Sequence, residues 1–374
     1  MDGIKQDAAR LVLMNPGPVV VDERVRQALL QPDLCHREPE FSQLMTRVRE
    51  KITRACGGDD LYTAVIFTGS GTAALEAALT SVVPPDGKIL IIDNGYYGER
   101  LLKIVSIHGI PHEHLQFEWA EQIDLKVLDR VLAKDGAISH VCMVHHETST
   151  GMLNPVHDAG KVVSARMRSL IVDAVSSLGG EDLNVKRDQI DICIATGNKC
   201  LEGFPGISFV CLRRALAETL KSVPPRTFYL DLYSQYVAEE IDRSPAFTPA
   251  VQTLYALDEA IDIMLEEGIE RRSARYRLLA GRLRAGLMDL GLRIMVPENQ
   301  RSNTLTAVHL PDGVNYENLH DELKAAGFII YPAQATLKGK LFRLANMGRI
   351  TEQDIDEFLR ALQESVIRLA AKAP

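Results

Sequence analysis

With 374 residues, 46% of them hydrophobic and 25% charged, the chain carries enough apolar material for two globular domains and too much for one of ordinary size. A formal charge of −8 and a pI near 5.7 argue against general affinity for nucleic acid or an anionic membrane, and leave room for a locally basic pocket. No uninterrupted apolar run approaches the ~18 residues of a membrane helix. The opening Met1-Asp2-Gly3-Ile4-Lys5-Gln6-Asp7 lacks the basic-then-apolar order of a signal peptide, so a cytoplasmic enzyme is expected.

Along the chain, an extended arm over residues 1–20 contains Pro16-Gly17-Pro18. Residues 21–245 then alternate short apolar runs with helical patterns, as a mainly parallel α/β sheet does. Strands are expected at Ala64–Thr68, Lys88–Asp93, His140–His145, Ser169–Asp173, Ile190–Thr196 and Ile207–Leu212, with helices such as Thr72–Val82 and Gly98–His108 between them. The texture changes near Val223-Pro224-Pro225 and Ser244-Pro245. Residues 246–374 read as a smaller α+β domain. Its expected helices are Thr253–Glu267, Ile269–Leu290, Asn318–Ala326 and Thr351–Leu369, and its strands Leu305–Leu310, Phe328–Tyr331 and Leu341–Ala345. The six cysteines form no CxxC pair, and several sit in apolar runs as buried thiols would.

Three segments carry chemistry. In Thr68-Gly69-Ser70-Gly71-Thr72-Ala73-Ala74 an apolar strand runs into glycines, hydroxyls and a helix start, whose unpaired N–H groups and dipole suit a phosphate. The same glycines fit GxGxxA through Gly69, Gly71 and Ala74, with Asp93 ending the next strand, so a dinucleotide-binding dehydrogenase is a rival. Asp173 ends a second apolar strand, where open α/β sheets place ligands. Lys199, 26 positions later among small residues, is placed to be desolvated and reactive as an amine. His145-His146-Glu147 suggests no metal, because neighbours on a strand point to opposite faces.

Phosphate cradle, acid and lysine in this order resemble the class V aminotransferases, which are fold-type I enzymes using pyridoxal 5'-phosphate (PLP). The likeness covers nearly the whole chain. It is most specific at Asn15-Pro16-Gly17-Pro18, at Asn94 to Arg100, at His146 to Pro155, at Asn198-Lys199-Cys200 and at Phe342 to Gly348. The resemblance implies that Lys199 holds the cofactor and moves the substrate proton, and that Asp173 pairs with the pyridine nitrogen. It implies that Gly69, Ser70, Gly71 and Thr72 hold the phosphate, with Asn198 and with Thr248 from a partner subunit. Tyr97 is expected to stack on the ring, Thr148 to sit near the ring hydroxyl, and Arg343 to bind the substrate carboxylate.

Within this family the nearest likeness is to the branch acting on 2-aminoethylphosphonate and pyruvate. The expected reaction is a ping-pong exchange giving phosphonoacetaldehyde and alanine. Gly17, His36, Arg37 and Arg349 are candidates near the substrate. The stretch Leu34 to Phe41 looks more like the alanine–glyoxylate and serine–glyoxylate enzymes, and Ala345 stands where a glycine is expected, so glyoxylate-linked transamination is the alternative. A homodimer with shared active sites is implied by the resemblance, and no metal, nucleic acid or membrane partner is expected.

Overall fold

The computed structural model describes residues 11–371. Its strands are, in chain order, β1 (Val12–Leu13), β2 (Tyr62–Thr68), β3 (Lys88–Asp93), β4 (His112–Gln116), β5 (Ile138–Val144), β6 (His146–Glu147), β7 (Met152–Leu153), β8 (Ser169–Asp173), β9 (Ile192–Thr196), β10 (Ile207–Arg213), β11 (Leu305–His309), β12 (Phe328–Ile329), β13 (Tyr331–Pro332) and β14 (Leu341–Ala345). Seven of them form the main sheet in the order β2-β10-β9-β8-β5-β3-β4. Only β10 runs against its neighbours, β2 and β9. Strands β2, β3, β5, β8 and β9 therefore all end on one edge.

Apart from the edge strand β4, the main-sheet strands are β-branched and apolar because both faces are covered. Alternation is visible residue by residue. Ile66, Leu90, Ile92, Val141, Met143, Val172 and Phe209 face a core shared with the helices Pro39–Ala55, Val156–Ala165 and Val251–Glu267. Val65, Phe67, Ile89, Ile91, Cys142, Ile171 and Val210 face the opposite core, under the helices Gly71–Val82 and Tyr96–Ile107. All six cysteines are free; Cys35 is exposed and the other five are buried.

A separate three-stranded antiparallel sheet, β11-β14-β13, packs with the helices Ile269–Asp289, Tyr316–Ala325 and Glu352–Ala370 around its own core. The arm joins this unit: β1 pairs in parallel with β12, and the Ala345 N–H donates to the Met14 carbonyl at 2.8 Å. The expected strand Phe328–Tyr331 is two short pairings, one with the arm and one with β14, interrupted at Ile330. Strand β4 has no apolar signature because His-Glu-His-Leu-Gln is a polar, half-exposed strand on the sheet edge.

Candidate active site

The edge where β2, β5, β8 and β9 end opens into a cavity of about 610 Å³ of open space. It is built from backbone ends rather than from a surface groove. The Gly69 N–H donates to the Gly206 carbonyl at 2.8 Å, which ties the end of β2 to the start of β10. The helix Gly71–Val82 begins at once, and the Ser70 side chain at its N-cap makes no capping bond. Its first N–H groups, at the positive end of the dipole, thus have no side-chain acceptor among the described residues. Glycine is needed at 71 for a steric reason: a Cβ there would lie 2.8 Å from Val175 Cγ2.

Asp173 closes β8, buried, and its Oδ1 accepts the Val175 N–H at 2.9 Å. Burial pushes its carboxyl up to about 6, against the pull of the Val175 N–H, Arg100 and Lys199. Lys199 follows β9. Burial lowers its ammonium below the ordinary value; Tyr97 and Asp173 oppose the shift and Arg343 adds to it. Its Nζ donates to the Pro16 carbonyl, so the arm lies over the lysine. Gly17 makes this approach possible. A Cβ there would meet Lys199 Cδ at 2.8 Å and Cε at 3.0 Å, and its φ of +111° is one that side chains disfavour.

Tyr97 lies in the first turn of Tyr96–Ile107, a helix whose own N-cap, Gly95, offers no side chain. The cap comes from the buried hairpin β6–β7. One Glu147 carboxylate oxygen accepts the N–H groups of Tyr97 (3.0 Å) and Gly98 (3.2 Å), and the other accepts the Ser149 hydroxyl at 2.6 Å and its N–H at 3.2 Å. Burial raises the Glu147 carboxyl to about 7 in spite of these bonds. The Tyr97 phenol is pushed up by burial, but Lys199, the Thr148 hydroxyl, Arg343 and Arg100 outweigh this and leave it lowered. Arg343, on β14, donates from Nη1 to the Thr148 carbonyl at 3.0 Å and from Nε to the Pro332 carbonyl at 2.9 Å. The smaller sheet thereby reaches the end of the larger one.

Of the residues expected from sequence, Ser70, Gly71, Thr72, Tyr97, Thr148, Asp173, Asn198 and Lys199 line this one cavity. Gly69 supports its turn and Gly17 packs on Lys199. Four others are elsewhere in the single chain. Arg37 is exposed and donates to Ser244 Oγ and the Pro245 carbonyl, each at 3.2 Å. His36 is half-buried in the loop before Pro39–Ala55, and exposed Thr248 lies in another pocket beside Tyr229 and Phe247. Arg349 is paired with Asp22 at 2.9 Å. Asp93, the ribose acid of the rival reading, instead accepts the Gly95 N–H at 3.0 Å and pairs with His114 at 3.1 Å. That removes its role in a dinucleotide site.

Sequence reasoning gave no role to Arg100, His146, Val175 or Ser176, which also line the cavity. Arg100 and His146 stood inside segments already singled out. Only the fold shows that they turn inward.

These residues fit PLP. An uncapped helix start suits its phosphate, a buried carboxylate its ring nitrogen, and a desolvated amine its aldehyde. Fold and cleft together define an aminotransferase of fold type I. The chain belongs to the class V aminotransferase family, whose profile matches residues 27–340; that family is PLP-dependent. A curated relative, the 2-aminoethylphosphonate–pyruvate transaminase of Klebsiella pneumoniae, is 34% identical over 95% of this chain and 97% of its own. Among solved structures, the ureidoglycine–glyoxylate aminotransferase of Bacillus subtilis superposes with a TM-score of 0.92 at 29% identity, covering 99% of this chain and 96% of its own. The alanine–glyoxylate aminotransferase of Nostoc sp. gives 0.90 at 27%, covering 98% of each chain. No described helix is long and apolar enough to cross a membrane.

Proposed function

We propose that this chain binds PLP at Lys199 and transfers the amino group of 2-aminoethylphosphonate to pyruvate. The observation that carries the reading is the meeting, in one cavity, of Lys199, Asp173 and the uncapped start of Gly71–Val82. The phosphonate substrate is supported by near full-length similarity to the Klebsiella pneumoniae transaminase.

When bound, PLP supplies an aldehyde that captures amines and a ring that accepts electrons from the substrate carbon. Asp173 holds a proton on the ring nitrogen and so maintains that electron demand. Lys199, whose ammonium is weakened by burial, serves first as the cofactor's anchor. It then takes a proton from the substrate α-carbon and returns it on the other side of the exchange. Gly69, Ser70, Gly71, Thr72 and Asn198 hold the phosphate, Tyr97 lies against the ring, and Thr148 faces its hydroxyl. Arg343 binds the keto-acid carboxylate through a two-pronged hydrogen bond.

The protein acts as a cytoplasmic homodimer in this reading. Thr248, exposed in one chain, completes the partner's phosphate site, and His36 and Arg37 approach the substrate from across the interface. Sedimentation at micromolar concentration tests the dimer. A glyoxylate-linked reaction is the second reading, favoured by the names of the two superposed structures.

An absorbance titration decides between them. A band at ~420 nm that bleaches with 2-aminoethylphosphonate and returns with pyruvate supports the proposal. Bleaching by alanine or serine alone moves the substrate to the glyoxylate branch, and no band after PLP is supplied removes the cofactor reading.

A further inference from the structure

The cavity holds a cation with no part in the reaction described above. Arg100 lies one helical turn beyond Tyr97, and its guanidinium carbon is 4.6 Å from the centroid of the Tyr97 ring. Residues three apart on a helix are neighbours on its surface, and a guanidinium against an aromatic face is attracted by the ring's negative quadrupole. From the same group, Nη1 donates to Thr72 Oγ1 at 3.3 Å. Arg100 is also close enough to Asp173 for its charge to favour the carboxylate. One side chain thus touches the ring-stacking residue and a phosphate-cradle residue, and it bears electrostatically on the ring acid.

We propose that Arg100 is a positioning residue for the cofactor, orienting the Thr72 hydroxyl toward the phosphate while fixing the Tyr97 ring. The proposal rests on the PLP reading of the cleft. Its physical basis is the hydroxyl's limited capacity. A threonine hydroxyl has one hydrogen to give and two lone pairs to offer. When Oγ1 accepts the Arg100 N–H, its own hydrogen is turned away from the cation, free for an anion at the start of Gly71–Val82. Without Arg100 the hydroxyl rotates freely and donates to whatever acceptor is nearest. The cation also offsets the cost of keeping Asp173 ionised in a buried place.

The wiring predicts coupling between two positions 28 residues apart. Apo forms of the parent, Arg100→Met, Thr72→Val and the double variant are titrated with PLP, and dissociation constants are read from the visible band and by equilibrium dialysis. A charge-assisted hydrogen bond is worth roughly a ten- to hundredfold change in binding, so each single variant is expected to bind at least about tenfold more weakly. The double variant should lose little more than the worse single one, because both remove the same contact. Arg100→Lys keeps charge and one donor and should recover most of the loss, a rescue that a merely structural role would not give.

Affinity of Arg100→Met within about twofold of the parent overturns the proposal. So do losses that multiply fully in the double variant, or Arg100→Lys binding no better than Arg100→Met. Thermal melts of the apo forms identify any variant that is unfolded, in which case Arg100→Lys and Thr72→Val carry the comparison. If the parent itself binds no PLP, the cofactor reading fails first and the inference with it.

Discussion

Gly95 and Glu147 fit each other as a steric pair: a Cβ on Gly95 would fall 2.4 Å from Glu147 Cγ and 2.6 Å from Cδ. The backbone at Gly95 is extended, so space rather than conformation demands glycine there. That space admits the carboxylate that caps the Tyr96–Ile107 helix at Tyr97 and Gly98. Gly95→Ala is expected to cost about 1–3 kcal/mol by overpacking, read by urea denaturation of the apo protein. Glu147→Gln should cost a similar amount, because its amide N–H₂ would face N–H donors and leave one of them unmet. Midpoints unchanged in both variants would mean that Glu147 does not hold this helix.

Asp173 sets binding against stability. Its carboxyl is raised to about 6 in the fold, against an ordinary value of 3.8. A raised acid binds protons more tightly when folded, so it costs stability above pH 6, and that cost vanishes as pH falls toward 4. Asp173→Asn should therefore stabilise the apo protein at pH 8 by up to about 3 kcal/mol, with the advantage shrinking to nothing near pH 4. It should also weaken PLP binding and remove the loss of cofactor affinity that is expected of the parent below about pH 6. Thermal melts and PLP titrations across that range check both arms. A parent-like pH dependence in Asp173→Asn would take the residue away from the ring nitrogen.

Much of the molecule was legible in the sequence for physical reasons. The strands Lys88–Asp93 and Ser169–Asp173 occur where expected, because continuous apolar runs ending in a polar residue have few other uses. Glycine-rich turns beside Asp173 and Lys199 marked the edge where the cavity opens. The hairpin from His145 to Asn154 was harder. A run of His, Glu, Thr, Ser and Asn looks like solvent-facing loop, yet it is almost wholly buried. Its polarity is consumed internally: Asn154 bonds Asn94 and the Val144 carbonyl, and Glu147 serves the helix start at Tyr97. Such pairings join positions 50 to 60 residues apart, and nothing in local spacing announces them. Arg100 was hidden for the opposite reason. Arginine in a helix reads as a solvated charge, and only the position of Thr72 turns it inward.

Lys199→Ala is expected to bind PLP more weakly, to lose the band of the lysine-bound form, and to lower amino transfer by roughly a hundred- to ten-thousandfold, the span of a positioned proton-transfer group. Because the loss is of an amine in a cavity, added small primary amines should restore part of the rate. Stopped-flow absorbance of each half-reaction measures this. Transfer at the parent rate would rule out Lys199 as the proton carrier.

Arg343 is held before any substrate arrives. Nε is bound to Pro332 and Nη1 to Thr148 and Gln334, which fixes the plane of the guanidinium; a carboxylate that takes the place of the Gln334 side-chain oxygen meets Nη1 and Nη2 together. Such a fork recognises a carboxylate with two parallel bonds, which lysine cannot imitate. Arg343→Ala is expected to lower kcat/KM for pyruvate by about a hundredfold or more, corresponding to about 3 kcal/mol. Arg343→Lys should fall between that and the parent, since it keeps the charge and loses the geometry. The first half-reaction should slow as well, because Arg343 also steadies the Thr148 peptide in the cavity. Steady-state kinetics with each substrate varied in turn separates the two effects. An unchanged kcat/KM for pyruvate in Arg343→Ala would remove Arg343 from carboxylate recognition and leave it a strut between the two sheets.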